Sequence, residues 1–286
     1  MMNILVGYDG SKYGKWALEW AGCLPFNASQ KLTVVHVVDQ QSVRAPCMFQ
    51  PMVGGNQRLI REEIARLEQW GDRVVTEAGQ SRIVGRFSGK VVKKRGSIPD
   101  GILSEVPKRQ GLVVLGSRGL DALDRFMLGS TSMRAALHAS CPVLIVKQPP
   151  RNIHRMLLAI DGSPSSRKAL DFVLAHFAPT SRPSQRGTRS LEMIVAHVLP
   201  REQARLKCPV THVQDAGEAL RDAGFRVVEQ VQVGKPAPTL LTIATKRRVD
   251  LIIMGAKGLG AVARFFLGSV SYELLQHARC SVLVVK

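Results

Sequence analysis

The residues that could do chemistry in this chain are two aspartates and two sets of glycines. The stretch GSRGLDALDRFMLGS, Gly116 to Ser130, and the stretch GAKGLGAVARFFLGS, Gly255 to Ser269, both read Gly-x-x-Gly, nine residues, Gly-Ser. Gly116 directly follows the apolar run LVVL, so a strand ends there and the chain turns. Gly119 gives that turn a positive φ or a close approach that a side chain would block. Gly129-Ser130 opens the periodic segment STSMRAALHA and marks a helix N-terminus. Free N–H groups there, with the helix dipole behind them, form an anion site. Ser130 is placed to cap that helix or to donate its hydroxyl to a phosphate oxygen. Gly255, Gly258, Gly268 and Ser269 repeat the arrangement. The plainer reading, glycines for turns and serines for caps, is open for either stretch alone. Retention of the spacing while the intervening residues change favours a phosphate clamp.

Asp9 in GYDGS and Asp161 in AIDGS end an apolar run and precede a helix start. Ser11 and Ser163 are candidate caps, and Pro164 suits the first helical position. His36 and His197 end apolar strands with no second ligand at metal spacing, and read as hydrogen-bonded core histidines. His138 and His277 fall in the last turn of a helix, where partial positive charge suits the dipole. Arg125 and Arg264 recur inside the nine-residue segments and suit phosphate or solvent equally. No catalytic or metal-ligating residue is assigned.

The elements that must position these groups are also written twice. NILVGYDGSKYGKWAL is answered by RMLLAIDGSPSSRKAL, LTVVHVV by EMIVAHVL, and LGSTSMRAALHASCPVLIVK by LGSVSYELLQHARCSVLVVK. The order is preserved, so one fold is duplicated. The prolines of KQPPRN mark the seam, giving domains 1–148 and 149–286. Strands are expected at ILVG, LTVVHVV, KVVKK, LVVLG and VLIVK, and again at MLLAI, MIVAHVL, RVVEQVQV, LIIMG and VLVVK. Several are apolar on both faces, as parallel strands between helices should be. Leu170, Val173, Leu174 and Phe177 follow a helical stripe, as do Ala237, Leu240, Leu241 and Ala244. The expected fold is α/β, two tandem doubly wound five-stranded parallel-sheet domains of Rossmann-like type. Ligands then bind beyond the carboxyl ends of the strands, where strand order reverses. One difference separates the copies: DQQSVRAPCMFQPMVGGNQRL has no counterpart in the second. Its Met48, Phe49, Met52 and Val53 follow no strand or helix period. An ordinary insertion, a flap over the first site and a self-association surface are all open.

Bulk composition sets limits. At 286 residues, with 45% hydrophobic residues and mean hydropathy +0.02, the chain suits two soluble domains. MMNILVGYDGSKYGK lacks the pattern of a signal peptide, and no apolar run is long enough to span a bilayer, so a cytoplasmic location is expected. The five cysteines are scattered without Cys-x-x-Cys, which argues against disulfides and zinc. Cys141 and Cys280 read as buried thiols. The net charge of +18 attracts polyanions, nucleic acid among them. With only 5% aromatic residues, however, a stacking platform for single strands is poorly supplied.

The paired glycine motif, an aspartate closing the first strand and the ending CPVLIVK together resemble the universal stress protein family, over nearly the whole chain. The resemblance implies an adenine nucleotide hydrolase-like fold and two ATP sites, with Mg²⁺ as a companion and AMP or ADP as alternatives. It implies that Asp9 and Asp161 hold the adenosine moiety and that the main chain at Val37 and Val198 meets adenine. The glycines with Ser130 and Ser269 would take the phosphates. Ala256-Lys257 and Gln110-Gly111 depart from the usual pattern without touching an expected contact. Asp121 and Asp124 face Gly260 and Ala263 at corresponding places, so the first site is expected to depend more on Mg²⁺.

The leading expectation is a nucleotide-dependent stress regulator or sensor, built as an intramolecular pseudo-dimer, with homodimerisation open. Turnover is not expected, because no Walker loop and no base aimed at a terminal phosphate are visible. An ATP pyrophosphatase would need Ser-Gly-Gly-x-Asp-Ser where this chain has YDGS and IDGS. Binding of nucleic acid or acidic surfaces, and a nucleotide-free dimeric scaffold, are the alternatives.

Overall fold

The computed structural model describes residues 1–44, 55–107, 110–119, 128–150, 152–180, 190–204, 211–258 and 267–286. The first repeat runs β1 (Met2–Gly7), α1 (Lys12–Cys23), β2 (Gln30–Val38), α2 (Gln41–Arg44), α3 (Gly55–Gly79), α4 (Arg82–Arg86), β3 (Lys90–Arg95), α5 (Ile98–Ser104), β4 (Gly111–Gly116), α6 (Ser130–His138) and β5 (Val143–Val146). The second runs β6 (Arg155–Ala159), α7 (Pro164–His176), β7 (Glu192–Leu199), α8 (Arg201–Ala204), α9 (Thr211–Asp222), β8 (Arg226–Val233), α10 (Pro236–Lys246), β9 (Leu251–Gly255), α11 (Ser269–His277) and β10 (Ser281–Val285). Every expected strand is present, and the α/β class holds.

The strands form one sheet in the order β3-β2-β1-β4-β5-β10-β9-β6-β7-β8. Pairing is parallel within each repeat, and antiparallel where Val143, Leu144 and Ile145 meet Val284, Leu283 and Val282. Two doubly wound five-stranded sheets are thus joined edge to edge, which hides an otherwise unpaired strand of each. Helices α1, α3, α7 and α9 cover one face through Leu18, Val74, Leu170 and Val213. Helices α5, α6, α10 and α11 cover the other through Ile102, Ala135, Leu240 and Leu274. Both hydrophobic layers run unbroken across the seam. Strand order reverses between β1 and β4, and between β6 and β9. Those are the two crevices.

The start of the expected insertion has a counterpart after all, since α2 is answered by α8, and part of the extra length of the first repeat lies in helix α3. Helix α3 has 25 residues and α9 has 12, and the segment from Gly55 to Leu59 is its first turn and beyond. Met48, Phe49, Met52 and Val53, with Cys47 and Cys208, lie outside the described residues.

Lysines at the ends of the two central strands cross the seam. Lys147 Nζ donates to Gln276 O at 3.2 Å and Ala278 O at 2.8 Å, at the C-terminus of α11. Lys286 Nζ donates to Ala136 O and, at 3.3 Å, to Leu137 O, at the C-terminus of α6. Each cation meets the negative end of the other repeat's last helix. Burial pushes both ammonium groups down to about 8. It pushes the adjoining thiols up, Cys141 to about 11 and Cys280 to about 12, so these cysteines are inert packing groups. Because an unfolded lysine titrates near ~10.4, the unfolded chain holds more protons between about pH 8 and 10, and stability from these groups rises with pH there. Wild type should therefore gain melting temperature relative to a Lys147→Met/Lys286→Met variant between about pH 8 and 10. A difference that narrows over that interval contradicts the assignment.

Candidate functional site

The first crevice opens where β1 ends and the chain enters α1. Asp9 Oδ1 accepts the Ser11 N–H at 3.0 Å, and Ser11 Oγ accepts the Gly14 N–H at 3.1 Å, so Ser11 is the helix cap. Gly10 makes the intervening bend at φ +79°. The second repeat matches it: Asp161 Oδ1 accepts from Ser163 N at 3.0 Å, Ser163 Oγ accepts from Ser166 N at 3.1 Å, and Gly162 has φ +80°. Pro164 is the first helical residue. These bonds hold one carboxylate oxygen and aim the other at the glycine motif. A Cβ on Gly119 would stand 3.0 Å from Asp9 Oδ2, and one on Gly258 3.0 Å from Asp161 Oδ2.

The glycines of each motif differ in role. A Cβ on Gly116 would come within 2.7 Å of the Tyr13 main chain, and one on Gly255 within 2.5 Å of the Ser165 main chain. Those two glycines let the first helix of each repeat touch the end of the neighbouring strand. Among the described residues, neither Gly119 nor Gly258 has a positive φ. Close approach to the carboxylate, the other expected reason, is the one that operates.

At the far side, Gly129 and Gly268 are the N-caps of α6 and α11, with extended backbone and no side-chain cap bond. This corrects the capping role considered for Ser130 and Ser269, which are the first helical residues. Because the preceding glycine already occupies the extended position, their hydroxyls are not caps, and the N-cap residue has no side chain to bond the first amides. Gly129 N donates to Ser117 O at 2.8 Å and Gly268 N to Ala256 O at 2.9 Å, closing each loop on its strand end. Ser132 and Ser271, which the motif reading passed over, staple the helices in place. Their buried hydroxyls donate to Gly116 O at 2.7 Å and Gly255 O at 2.9 Å. Their signal was present, since LGSTS and LGSVS share the second serine.

Val37 and Val198 lie past the last rungs made with β1 and β6. Tyr8 N donates to Val35 O, and Ile160 N to Ala196 O, both at 2.9 Å. Two residues further along a parallel ladder, the main chain of Val37 and of Val198 faces the same edge, where the inner strand has ended. All six sequence-predicted residues of the first repeat, Asp9, Val37, Gly116, Gly119, Gly129 and Ser130, line a single cavity of about 710 Å³. Its wall also includes Arg118, Thr131, Asp39, Leu67, Trp70 and Ile98. In the second repeat, Asp161, Gly255, Gly258 and Gly268 reproduce the contacts of their counterparts. Arg125, Arg264, Asp121, Asp124, Gly260 and Ala263 lie outside the described residues.

His36 and His197 are hydrogen-bonded core histidines, as expected, and His36 also borders the cavity. His36 Nδ1 donates to Tyr8 O at 2.9 Å, and burial pushes its pKa down. His197 Nδ1 makes the same bond to Ile160 O at 2.7 Å. His138 and His277 close the last turns of α6 and α11. The basic cluster KVVKKR is largely neutralised. Lys93 pairs with Glu68 at 2.6 Å and Asp72 at 2.7 Å, Arg95 with Glu68 at 2.6 Å, and Lys94 with Glu105 at 2.6 Å. The Arg95 and Lys93 bonds hold the Glu68 carboxyl down to about 2. Among the described residues, no group of three or more His, Cys, Asp or Glu could hold a metal ion.

Comparison with known proteins agrees with this architecture. The sequence model of the universal stress protein family matches residues 1–147 and again 152–286. A universal stress protein of Mycobacterium tuberculosis is 28% identical over 313 residues, covering 100% of this chain and 95% of the relative. One from Mycolicibacterium smegmatis is 29% identical over 308 residues, covering 99% and 97%. Among solved structures, a universal stress protein from Archaeoglobus fulgidus superposes with a TM-score of 0.67 at 18% identity, over 99% of this chain and 98% of that one. The chain belongs to the universal stress protein family.

The two kinds of glycine should separate by substitution. Gly116→Ala drives a methyl into main chain and should cost about 1–3 kcal/mol in denaturant unfolding. Gly119→Ala meets only the Asp9 carboxylate and not main chain, so it should cost no more than the hydrogen bond it disturbs, about 1 kcal/mol, while displacing that carboxylate. Equal destabilisation by both would contradict the division of roles.

Proposed function

We propose that each repeat of this family member binds one adenine nucleotide, ATP first among them, and that occupancy regulates the protein's partners without committed turnover. The observation that carries the reading is the composition of the 710 Å³ cavity. One end offers the amides opening α6, with Arg118 nearby, and suits an anion. The middle offers Asp9 Oδ2, an acceptor that repels phosphate and suits the hydroxyls of a sugar. The other end is apolar, with the Val37 main chain exposed along its edge, and suits a flat base that also hydrogen-bonds. Only a molecule with these three parts in this order uses the whole wall. The same contacts in the second repeat support a second site at Asp161, Val198, Gly258, Gly268 and Ser269, with Gly255 supporting the loop.

Regulation follows if nucleotide prefers one of two states of the chain. The ion pairs within β3 and α3 weigh against that cluster as a polyanion surface, so nucleic acid remains the second reading. No helix among the described residues is long and apolar enough to cross a membrane; a cytoplasmic location is part of the proposal. Mg²⁺ would accompany a triphosphate, with its ligands drawn from the phosphates.

Native mass spectrometry of the freshly purified chain tests the reading. Adducts of one and two adenine nucleotides, or their appearance on adding ATP, are expected. A chain that carries none, and takes up none at millimolar ATP, overturns it.

A further inference from the structure

An aromatic ring stands at the same place beside both crevices, and the two rings are chemically different. In the first repeat, Leu67, Trp70 and Val74 form a stripe of α3 toward the sheet. A Cβ on Gly10 would lie 3.6 Å from Trp70 Cζ2, so the benzenoid edge of the indole rests on the bend beside Asp9. Trp70 is 43% exposed, and it borders the cavity together with Leu67 on one side and Ile98 and Pro99 on the other. Because α3 and α5 cover opposite faces of the sheet, these residues flank the end of β2, where Val37 and Val38 also line the cavity. A large apolar ring half in water beside a cavity has surface to bury on a flat ligand.

In the second repeat the ring is an imidazole. A Cβ on Gly162, whose φ matches that of Gly10, would lie 3.4 Å from His212 Nδ1. His212 packs edge to face against His197, with ring centroids 4.6 Å apart and its Nε2 3.2 Å from the His197 nitrogen that donates to Ile160 O. Asp161 and Asp215 are the carboxylates that act on it.

We infer that Trp70 supplies the stacking face for the base in the first crevice and His212 supplies it in the second, so the repeats hold one class of ligand through unlike aromatic contacts. This rests on the nucleotide reading above and goes beyond it by assigning residues from α3 and α9 to the base. It also makes the sites distinguishable in one chain. The three tryptophans, Trp16, Trp20 and Trp70, are all in the first repeat. Trp20 is buried with its Nε1 donating to Gln148 O, and Trp16 packs on Tyr13; neither lines the cavity. Quenching of tryptophan fluorescence therefore reports on the first crevice.

The test titrates ATP, and tripolyphosphate as a probe without a base, into the full chain and its Trp70→Ala, Trp70→Phe and His212→Ala variants. Wild type should show ATP-dependent quenching that Trp70→Phe lacks. By calorimetry, Trp70→Ala should weaken one class of ATP sites by about tenfold, as loss of a base–aromatic stack does. Trp70→Phe, which keeps a ring, should stay near wild type, and His212→Ala should weaken the other class. Tripolyphosphate should bind all four proteins alike. Trp70→Ala binding ATP as wild type does overturns the stacking role and leaves the nucleotide reading standing. Equal loss of ATP and tripolyphosphate also overturns it, by showing a collapsed crevice. Wild type that binds no ATP overturns both.

Discussion

Each crevice depends on one contact between two pieces of main chain. Where β4 ends, Gly116 lies so close to the Tyr13 backbone of α1 that no side chain fits, and Gly255 meets Ser165 in the same way. That approach brings the start of α1 beside the glycine turn, so that a carboxylate held by its own helix cap faces Gly119. The serine staple from α6 to Gly116 O then fixes the third side. A binding surface made from bare amides has to be built this way. Amides have no reach, so the backbone itself must be carried to the ligand, and side chains must be removed wherever strands and helices converge.

Duplication adds a second constraint. Each repeat alone would leave the outer edge of its last strand open, and pairing β5 with β10 removes both edges at once. The crossing lysines extend that seam to the helix ends, and they are nearly symmetric. One contact is not. Gln276 of α11 accepts the Leu128 N–H at 3.2 Å through Oε1, next to the N-cap of α6, while Lys147 holds the Gln276 carbonyl. The corresponding residue of the first repeat is Leu137, which has no such group. The phosphate end of the first crevice is thus tied to the second repeat by a link without a mirror image, alongside the unlike rings Trp70 and His212.

Much of this was legible in the residues. Strand runs apolar on both faces named the parallel sheets, and the repeated glycine spacing named the loops, because such patterns arise from burial and from absent side chains. What could not be read depended on geometry between distant parts. A glycine in a turn does not say whether it is needed for its φ or for clearance, and Gly119 proved to be the second case. Gly129 and Ser130 both suit an N-cap, and only the dihedrals choose between them. Trp70 sits in a helix 25 residues long whose counterpart has 12, so internal comparison could not single it out. The charges of KVVKKR are paired only because the fold brings Glu68 and Asp72 of α3, and Glu105 at the end of α5, beside them. Val143 to Val146 gave no sign of its antiparallel partner, since an apolar edge strand does not specify what will pair with it.

The crystal structure of the chain grown with ATP tests the account most directly. It should show adenosine lodged between α3 and α5 and between α9 and α10, with the ribose on Asp9 and Asp161. Phosphates should rest on the amides that open α6 and α11. Nucleotide bound only on the outer basic surface, or side chains filling both crevices at saturating ATP, would contradict it.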